Sequence, residues 1–301
     1  MDIIKPVTVT NSILTSSNVA ENDYSEWASG TTYSDGDKVI ITGTTHKVYE
    51  SLTNSNQGNN PTTSTTNWLE LGATNRWKAF DQKISDQVSN LNSIEYQFND
   101  ANSNVTAVSL FGLDGTNVNV TVTDSTDGEV YNQDFSLLDN ADIVDWFTYF
   151  FADQGKKTEA LFTGIPPYFN SDVEITITTD TGQNAKVGQI VFGFLSNFGL
   201  TTYGTSVGIE DYSRKETDAF GNFVITQRAF AKLVDYDVRL ETGKARTVQN
   251  TLAGFRATPT VYIGSEDESL ATIVYGFYRR FDITLEGPAY SFAAIEVEGL
   301  T

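Results

Sequence analysis

The sequence predicts a mainly β protein built from a small three-stranded unit, an antiparallel sandwich and a C-terminal β-sheet domain with one helix. Three observations carry this. Apolar and polar residues alternate at period two: Ile94, Tyr96 and Phe98 share one face of a strand, as do Val118, Val120 and Val122, and again Val173, Ile175 and Ile177. Turn signals separate these runs at Asp114-Gly115, Asp127-Gly128 and Asp180-Thr181-Gly182. The chain is also rich in Thr, Val, Asn, Gly and Tyr, residues of strands and turns, and has few long helical patterns.

Composition limits what the chain can do. Its 301 residues are enough for two or three domains. With 19 Lys and Arg against 39 Asp and Glu, the net charge of −20 argues against nucleic acid or an anionic membrane as partner. It fits a soluble protein, one facing a basic partner surface, or a saline setting. There is no cysteine, which excludes disulfides, thiol nucleophiles and Cys-ligated zinc. The start, Met1-Asp2-Ile3-Ile4-Lys5-Pro6, lacks the apolar core of a signal peptide. The densest apolar run, residues 146–152, falls far short of the roughly 20 residues of a membrane helix.

Residues 1–20 are polar and contain one extended piece, Val7-Thr8-Val9-Thr10. They form either an arm that adds a strand to a neighbouring domain or subunit, or a loose terminus. Residues 21–72 form the small unit. Ser34-Asp35-Gly36-Asp37 is a turn, and Val39-Ile40-Ile41 and Lys47-Val48-Tyr49-Glu50-Ser51-Leu52 are strands on either side of Gly43. So short a unit needs concentrated aromatics, here Trp27, Tyr33, Tyr49 and Trp68. Trp27, Tyr33, Gly36, Val39, Tyr49, Pro61 and Trp68 together resemble the small carbohydrate-binding modules of the chitin-binding type (family 5/12). Those modules carry an exposed Trp just before the Pro. Here Gly58-Asn59-Asn60 precedes Pro61, so the resemblance implies the architecture more than the sugar site.

Residues 73–195 follow with no Gly/Ser or Pro-rich tether, so the unit is expected to pack against them. Strands are expected at 93–98, 105–113, 117–123, 172–178 and 187–194. Residues 142–152 fit either a helix, with Ile143, Trp146, Phe147 and Phe150 on one face, or an aromatic strand. The stretch Asn75-Arg76-Trp77-Lys78-Ala79-Phe80-Asp81, the strand at 105–113 and the ending Gly188-Gln189-Ile190-Val191-Phe192-Gly193 resemble the galactose-binding, discoidin-like fold. That likeness implies a jelly-roll sandwich. Galactose-binding folds often hold a structural calcium, so the likeness leaves a metal open without naming its ligands.

Residues 196–301 begin with Asp211-Tyr212-Ser213-Arg214-Lys215-Glu216-Thr217-Asp218 and the hairpin-like turn Phe220-Gly221-Asn222-Phe223. A long strand is expected at 223–240. A helix follows on Ala245, Val248, Leu252 and Phe255, capped by Thr242 and stopped by Pro259. Strands at 260–264, 271–285 and 290–298 close the chain. The motif 211–221, Ala257-Thr258-Pro259-Thr260-Val261-Tyr262, Tyr275-Gly276-Phe277-Tyr278 and Ile295-Glu296-Val297-Glu298-Gly299-Leu300 are similar to tail-associated proteins of bacteriophages. The likeness covers nearly the whole chain. It implies a structural virion subunit at the tail or its distal end, assembled in the host cytoplasm, with other tail proteins as partners. It also implies a homo-oligomer, trimeric or hexameric.

No catalytic constellation stands out. His46 is the only histidine and is expected on a partly exposed strand, with no motif such as G-x-S-x-G around a nucleophile. One histidine also gives no basis for a histidine metal site. Among 39 acids, Asp211, Glu216 and Asp218, or Glu266-Asp267-Glu268, are the dense spots where a glycosidase pair would be sought. Solvated turns, or pairing with Arg214, Lys215, Arg279 or Arg280 across a subunit boundary, explain them better. Asp124-Ser125-Thr126-Asp127-Gly128 lacks the spaced ligands of an EF-hand and reads as an Asx turn. No cofactor is expected. Candidate glycan contacts are Trp27, Tyr33, His46, Tyr49, Asn59 and Trp68, with aromatic rings stacking on sugar C–H faces. The leading expectation is a non-enzymatic phage structural protein presenting this module. A host-surface glycan-binding adhesin is second and a polysaccharide-degrading enzyme third.

Overall fold

A computed structural model describes residues 1–99, 103–139, 145–151, 155–217, 220–267 and 271–300. The chain is mainly β, with 51% strand and 8% helix. Its largest element is a curled, half-barrel antiparallel sheet of ten strands. In spatial order these are Glu159–Phe162, Ala107–Phe111, Gln189–Asn197, Asp2–Pro6, Thr260–Ile263, Ile273–Thr284, Tyr290–Gly299 and Phe230–Glu241. Leu200–Thr201 and Ser206–Asp211 both pair with the outer side of Phe230–Glu241.

The N-terminal segment adds a strand within its own chain, at Asp2–Pro6 rather than at the extended piece expected at 7–10, which lies in no strand. Asp2–Pro6 lies between Gln189–Asn197 and Thr260–Ile263, with Ile4 opposite Leu195 on one side and Val261 on the other. Adjacent strand residues point to opposite faces. Ile3 therefore enters the cluster of Tyr236, Tyr262, Val248 and Leu252, and Ile4 enters that of Phe111, Val191 and Tyr275. A strand buried on both faces is central, and this one joins the two larger units predicted from sequence into one sheet. Gly193 permits the approach, because a Cβ there would lie 1.9 Å from the Lys5 carbonyl oxygen.

The second sheet has five strands, in the order Gly128–Ser136, Asn117–Asp124, Asp172–Thr178, Ser93–Asn99 and Leu14–Ser17. Its alternating residues Ile94, Tyr96, Phe98, Val118, Val120, Val173 and Ile175 face Val108, Leu110, Phe162 and Phe192 of the large sheet across one core. The period-two pattern sets these inner faces.

Several expected elements are modified. The strand expected at 187–194 divides at Gly188 into Asn184–Val187 and Gln189–Asn197. The Ile84 carbonyl passes so close that a Cβ at 188 would meet it at 2.1 Å. The long strand expected at 223–240 is two strands. Phe223–Thr226 pairs with Arg214–Thr217, and the large sheet gains only Phe230–Glu241. The expected helix forms as Ala245–Gly254 after a 3-10 turn at Thr242–Lys244, with Val248 and Leu252 buried. Thr242 is not its cap, since its hydroxyl donates to the Gly287 carbonyl and bonds Ser291. In the ambiguous stretch a short helix forms at Trp146–Phe151. Its aromatics are not a buried face, as Trp146 is 79% exposed. Residues 142–144 and 152 of that expectation lie outside the described residues.

Candidate functional site

The small unit is built on the three-stranded sheet Lys38–Ile41, Lys47–Ser51 and Trp68–Ala73. Its core is Tyr33, Val39, Tyr49 and Trp68, with Trp27 and Ile41 packed alongside. Trp68 is 2% exposed, and its ring meets Tyr33 edge-on at 5.2 Å between centroids. The Trp68 indole N–H donates to the Asn59 carbonyl at 3.0 Å, while the Asn59 amide donates to Asn56 Oδ1 at 2.8 Å. Tyr33, Tyr49 and Trp68 are thus core residues whose faces are enclosed, Asn59 braces them, and Trp27 is half-buried. Tyr24, which sequence reasoning passed over, is the exposed aromatic here, with Lys38 Nζ 5.8 Å from its ring centre. Nothing in its spacing marks it.

His46 lies elsewhere, at the joint between this unit and the sandwich. It adopts φ 52° at the turn before Lys47–Ser51, and its ring stacks on Trp77 at 4.0 Å and 20°. Its Nδ1 is 2.8 Å from Glu21 Oε1, which also accepts the Thr74 hydroxyl at 2.7 Å. The Thr74 N–H donates to the His46 carbonyl, and Arg76 Nε donates to the Val19 carbonyl at 2.6 Å. Trp77 continues through edge contacts to Phe80 at 5.8 Å and from Phe80 to Tyr96 at 5.4 Å, reaching the sandwich core. The joint is therefore a stacked and hydrogen-bonded clamp and the unit is held at a fixed angle. Ala73-Thr74-Asn75-Arg76-Trp77, arriving without a tether, was its one legible signal.

Beside the clamp is a cleft of about 340 Å³ lined by Thr45, His46, Lys47, Trp77, Phe80 and Asp81. Thr45 Oγ1, His46 Nε2, Trp77 Nε1 and Asp81 Oδ2 are shielded from solvent without a hydrogen-bond partner among the described residues. Such groups are costly, which makes the joint an energetically expensive spot. Burial pushes the Asp81 carboxyl up to about 6, against the lowering effect of the Lys83 backbone N–H; Asp86 adds to the rise. This has a pH signature. Between about pH 4 and pH 6 the folded chain keeps a proton that the unfolded chain has released, so stability falls as pH rises through that window. Asp81→Asn removes the penalty and keeps the acceptor for Lys83. Because Asp81 is only partly buried, solvent screening reduces the effect. The stability of D81N relative to the parent is expected to rise by about 1 kcal/mol between pH 4 and pH 7. Urea unfolding at several pH values reads this, and a flat difference refutes it.

Of the carboxylates flagged from sequence, Asp211 and Glu216 are held in ion pairs within the chain. Asp211 accepts from Lys215 Nζ at 2.8 Å and from the Ser213 N–H at 2.9 Å, which hold it well below the usual carboxylate range. Glu216 meets Arg214 at 2.5 Å. Arg279 meets Glu210 at 2.8 Å and Glu298 at 2.7 Å, and Arg280 pairs with Asp282. Asp218 and Glu268 lie outside the described residues. Asp124 accepts the Thr126 and Asp127 N–H groups at 2.8 and 3.0 Å in an Asx turn. Among the described residues, no group of three or more His, Cys, Asp and Glu is placed to hold a metal ion.

Two further surfaces stand out. Ser206–Asp211 and Phe230–Glu241 leave the end of the large sheet and continue, through the Tyr212 N–H to Ala229 carbonyl bond, into the hairpin Arg214–Thr217 and Phe223–Thr226. Every described residue of this hairpin is exposed, including Phe223, Val224 and Ile225. At its root, between sandwich and C-terminal sheet, is an apolar groove of about 270 Å³ lined by Ile84, Phe111, Phe230, Ile273, Tyr275 and Leu300. The Glu159–Lys232 ion pair, at 2.6 Å, stands beside it. Neither protein-family profiles, curated proteins nor solved structures give a match to this chain.

Proposed function

We propose that the chain is a structural subunit of a bacteriophage virion, located in the tail, that self-assembles through its C-terminal sheet and carries the small carbohydrate-module-like unit at a fixed angle. The observation that carries the assembly reading is the exposed ribbon at 206–230. A two-stranded hairpin alone in water is marginally stable and needs a third strand or an apolar cover. This one exposes Phe223, Val224 and Ile225, and its edge strand Ser206–Asp211 has no second neighbour among the described residues. An unpaired apolar edge of this kind favours pairing with another chain. The virion setting rests on the likeness of residues 211–221, 257–262, 275–278 and 295–300 to phage tail proteins. On this reading the sandwich is a discoidin-like jelly-roll used as scaffold, in keeping with its two facing sheets. A host-glycan adhesin ranks second because Tyr33, Tyr49 and Trp68 are enclosed, and a polysaccharide-degrading enzyme ranks third. Mass-resolved solution size of the full-length chain over a concentration series tests the assembly, with one discrete oligomer expected. A monomer at every concentration sinks the assembly reading. Absence of its peptides from purified particles made by the genome that encodes it sinks the virion setting.

A further inference from the structure

The geometry points to the cleft at the joint as a binding site for a neutral, hydroxyl-rich ligand of the pyranose type, held by Thr45, His46, Trp77 and Asp81. This site is separate from the assembly reading and stands or falls without it. Among the described residues seven side-chain nitrogen and oxygen atoms are shielded without a hydrogen-bond partner, and four of them belong to residues that line this one cleft. Buried polar groups are ordinarily paired, so such a concentration marks a wall short of a partner rather than a scatter of defects. The backbone on both sides is strained as well. His46 on the small unit has φ 52° and Gln82, next to Asp81, has φ 67°, both left-handed without being glycine. Strain of this kind persists where the surroundings hold it, and ligand clamps are one such place.

The chemistry of the four atoms selects the ligand. Trp77 Nε1 only donates, and a carboxylate oxygen such as Asp81 Oδ2 only accepts. His46 Nδ1 faces the Glu21 carboxylate, which also accepts the Thr74 hydroxyl, so Nδ1 donates there and Nε2 of the neutral ring accepts. Thr45 Oγ1 does either. A phosphate or carboxylate cannot serve the two acceptors, and an ammonium cannot serve the indole. A hydroxyl both donates and accepts, so neighbouring hydroxyls on one ring answer the whole set. Val9 and Phe80 add apolar wall for the C–H face of such a ring. At about 340 Å³ the cleft is at the small end of the roughly 300–1,000 Å³ of small-molecule sites. The four atoms lie beneath the surface, and the ligand reaches them by displacing side chains over the cleft. Lys83 is exposed and spans it, with Nζ 3.9 Å from where a Cβ on Gly72 of the small unit would lie. The clamp fixes both walls in advance, which lowers the ordering cost of binding.

Calorimetric titration of the full-length chain at pH 7 with glucose, galactose and N-acetylglucosamine tests this, with glycerol and glucuronate as controls. At least one of the three sugars is expected to bind. Thr45→Val and Asp81→Asn keep the shape of the wall and change one polar atom each, a hydroxyl to a methyl and an acceptor to a donor. Each is expected to weaken that sugar about 10-fold or more, the scale of one hydrogen bond to a buried group. The altered atoms have no partner to lose, so without sugar both variants are expected to melt at or above the wild-type temperature. A clear drop in the melting temperature of T45V shows that Oγ1 is already bonded within the chain and overturns the site. Binding by none of the three sugars overturns it too, as does binding left unchanged in either variant. Glucuronate binding in place of the neutral sugars makes the cleft an anion site, and glycerol binding as tightly as the sugars makes it a pocket for any small polyol; both results refute the proposal. Discrete oligomers with an empty cleft leave the assembly reading standing alone, and a sugar bound to a monomer leaves only this site.

Discussion

Replacing Ile3 and Ile4 together by Ala is expected to bring the chain to the edge of unfolding at room temperature. Both side chains are completely buried, on opposite faces of the strand that joins the two halves of the large sheet. Each truncation of a buried Ile costs about 2–5 kcal/mol. The two side chains belong to different clusters, so the costs come close to adding. Their sum is of the order of the whole stability of a typical domain, about 5–15 kcal/mol. Removal of residues 1–6 goes further. It uncovers the facing edges of Gln189–Asn197 and Thr260–Ile263 and strands the Thr260 hydroxyl that donates to the Ile4 carbonyl. Calorimetry of I3A/I4A should then show a lower and divided transition, with the sandwich and the C-terminal sheet melting apart. A synthetic peptide of residues 1–6 should restore one transition to the truncated chain. A single transition at the wild-type temperature in I3A/I4A would show that the strand adds little to the joint.

The importance of that strand was not readable from its own residues. Asp-Ile-Ile-Lys-Pro shows no alternation, because a strand buried on both faces carries adjacent apolar residues and is too short to have a period. Its partners, Asn197 opposite Asp2 and Val261 opposite Ile4, are far away in sequence. Local pattern carries no information about such pairings. The half-exposed strands of the sandwich were legible for the opposite reason, since one wet face writes alternation into the sequence. The breaks were not. Gly188 ends a strand because the backbone of Ile84 crosses there, and the 227–229 break exists because the ribbon leaves the sheet. In the small unit the aromatic spacing correctly marked a core. Whether a ring is packed or offered to a ligand depends on what lies above it, and composition is silent on that. His46 shows the same limit, since its partners Glu21, Thr74 and Trp77 come together only once the joint has formed.

Trp68→Ala separates a core residue from a ligand platform, and the expected result is local unfolding of residues 21–72. Truncating a buried Trp costs about 3–5 kcal/mol. The substitution also frees the Asn59 carbonyl that the indole N–H satisfies, and removes the edge contact with Tyr33. The cluster around Trp68 has only four buried side chains, so the unit has little reserve against such a loss. The rest of the chain has its own cores and is expected to remain folded, because the clamp passes load through His46, Thr74 and Trp77 rather than through Trp68. Hydrogen exchange resolved by segment would show loss of protection across Lys38–Ile41, Lys47–Ser51 and Trp68–Ala73, with protection retained in Ser93–Asn99 and Phe230–Glu241. The two readings of the aromatic cluster part at this point. A residue kept for stacking on sugar would leave exchange unchanged and abolish only glycan binding. A residue kept for packing melts the unit and removes any binding that depends on its shape. Retained protection in W68A would therefore return the aromatic cluster to the list of ligand surfaces and overturn its assignment to the core.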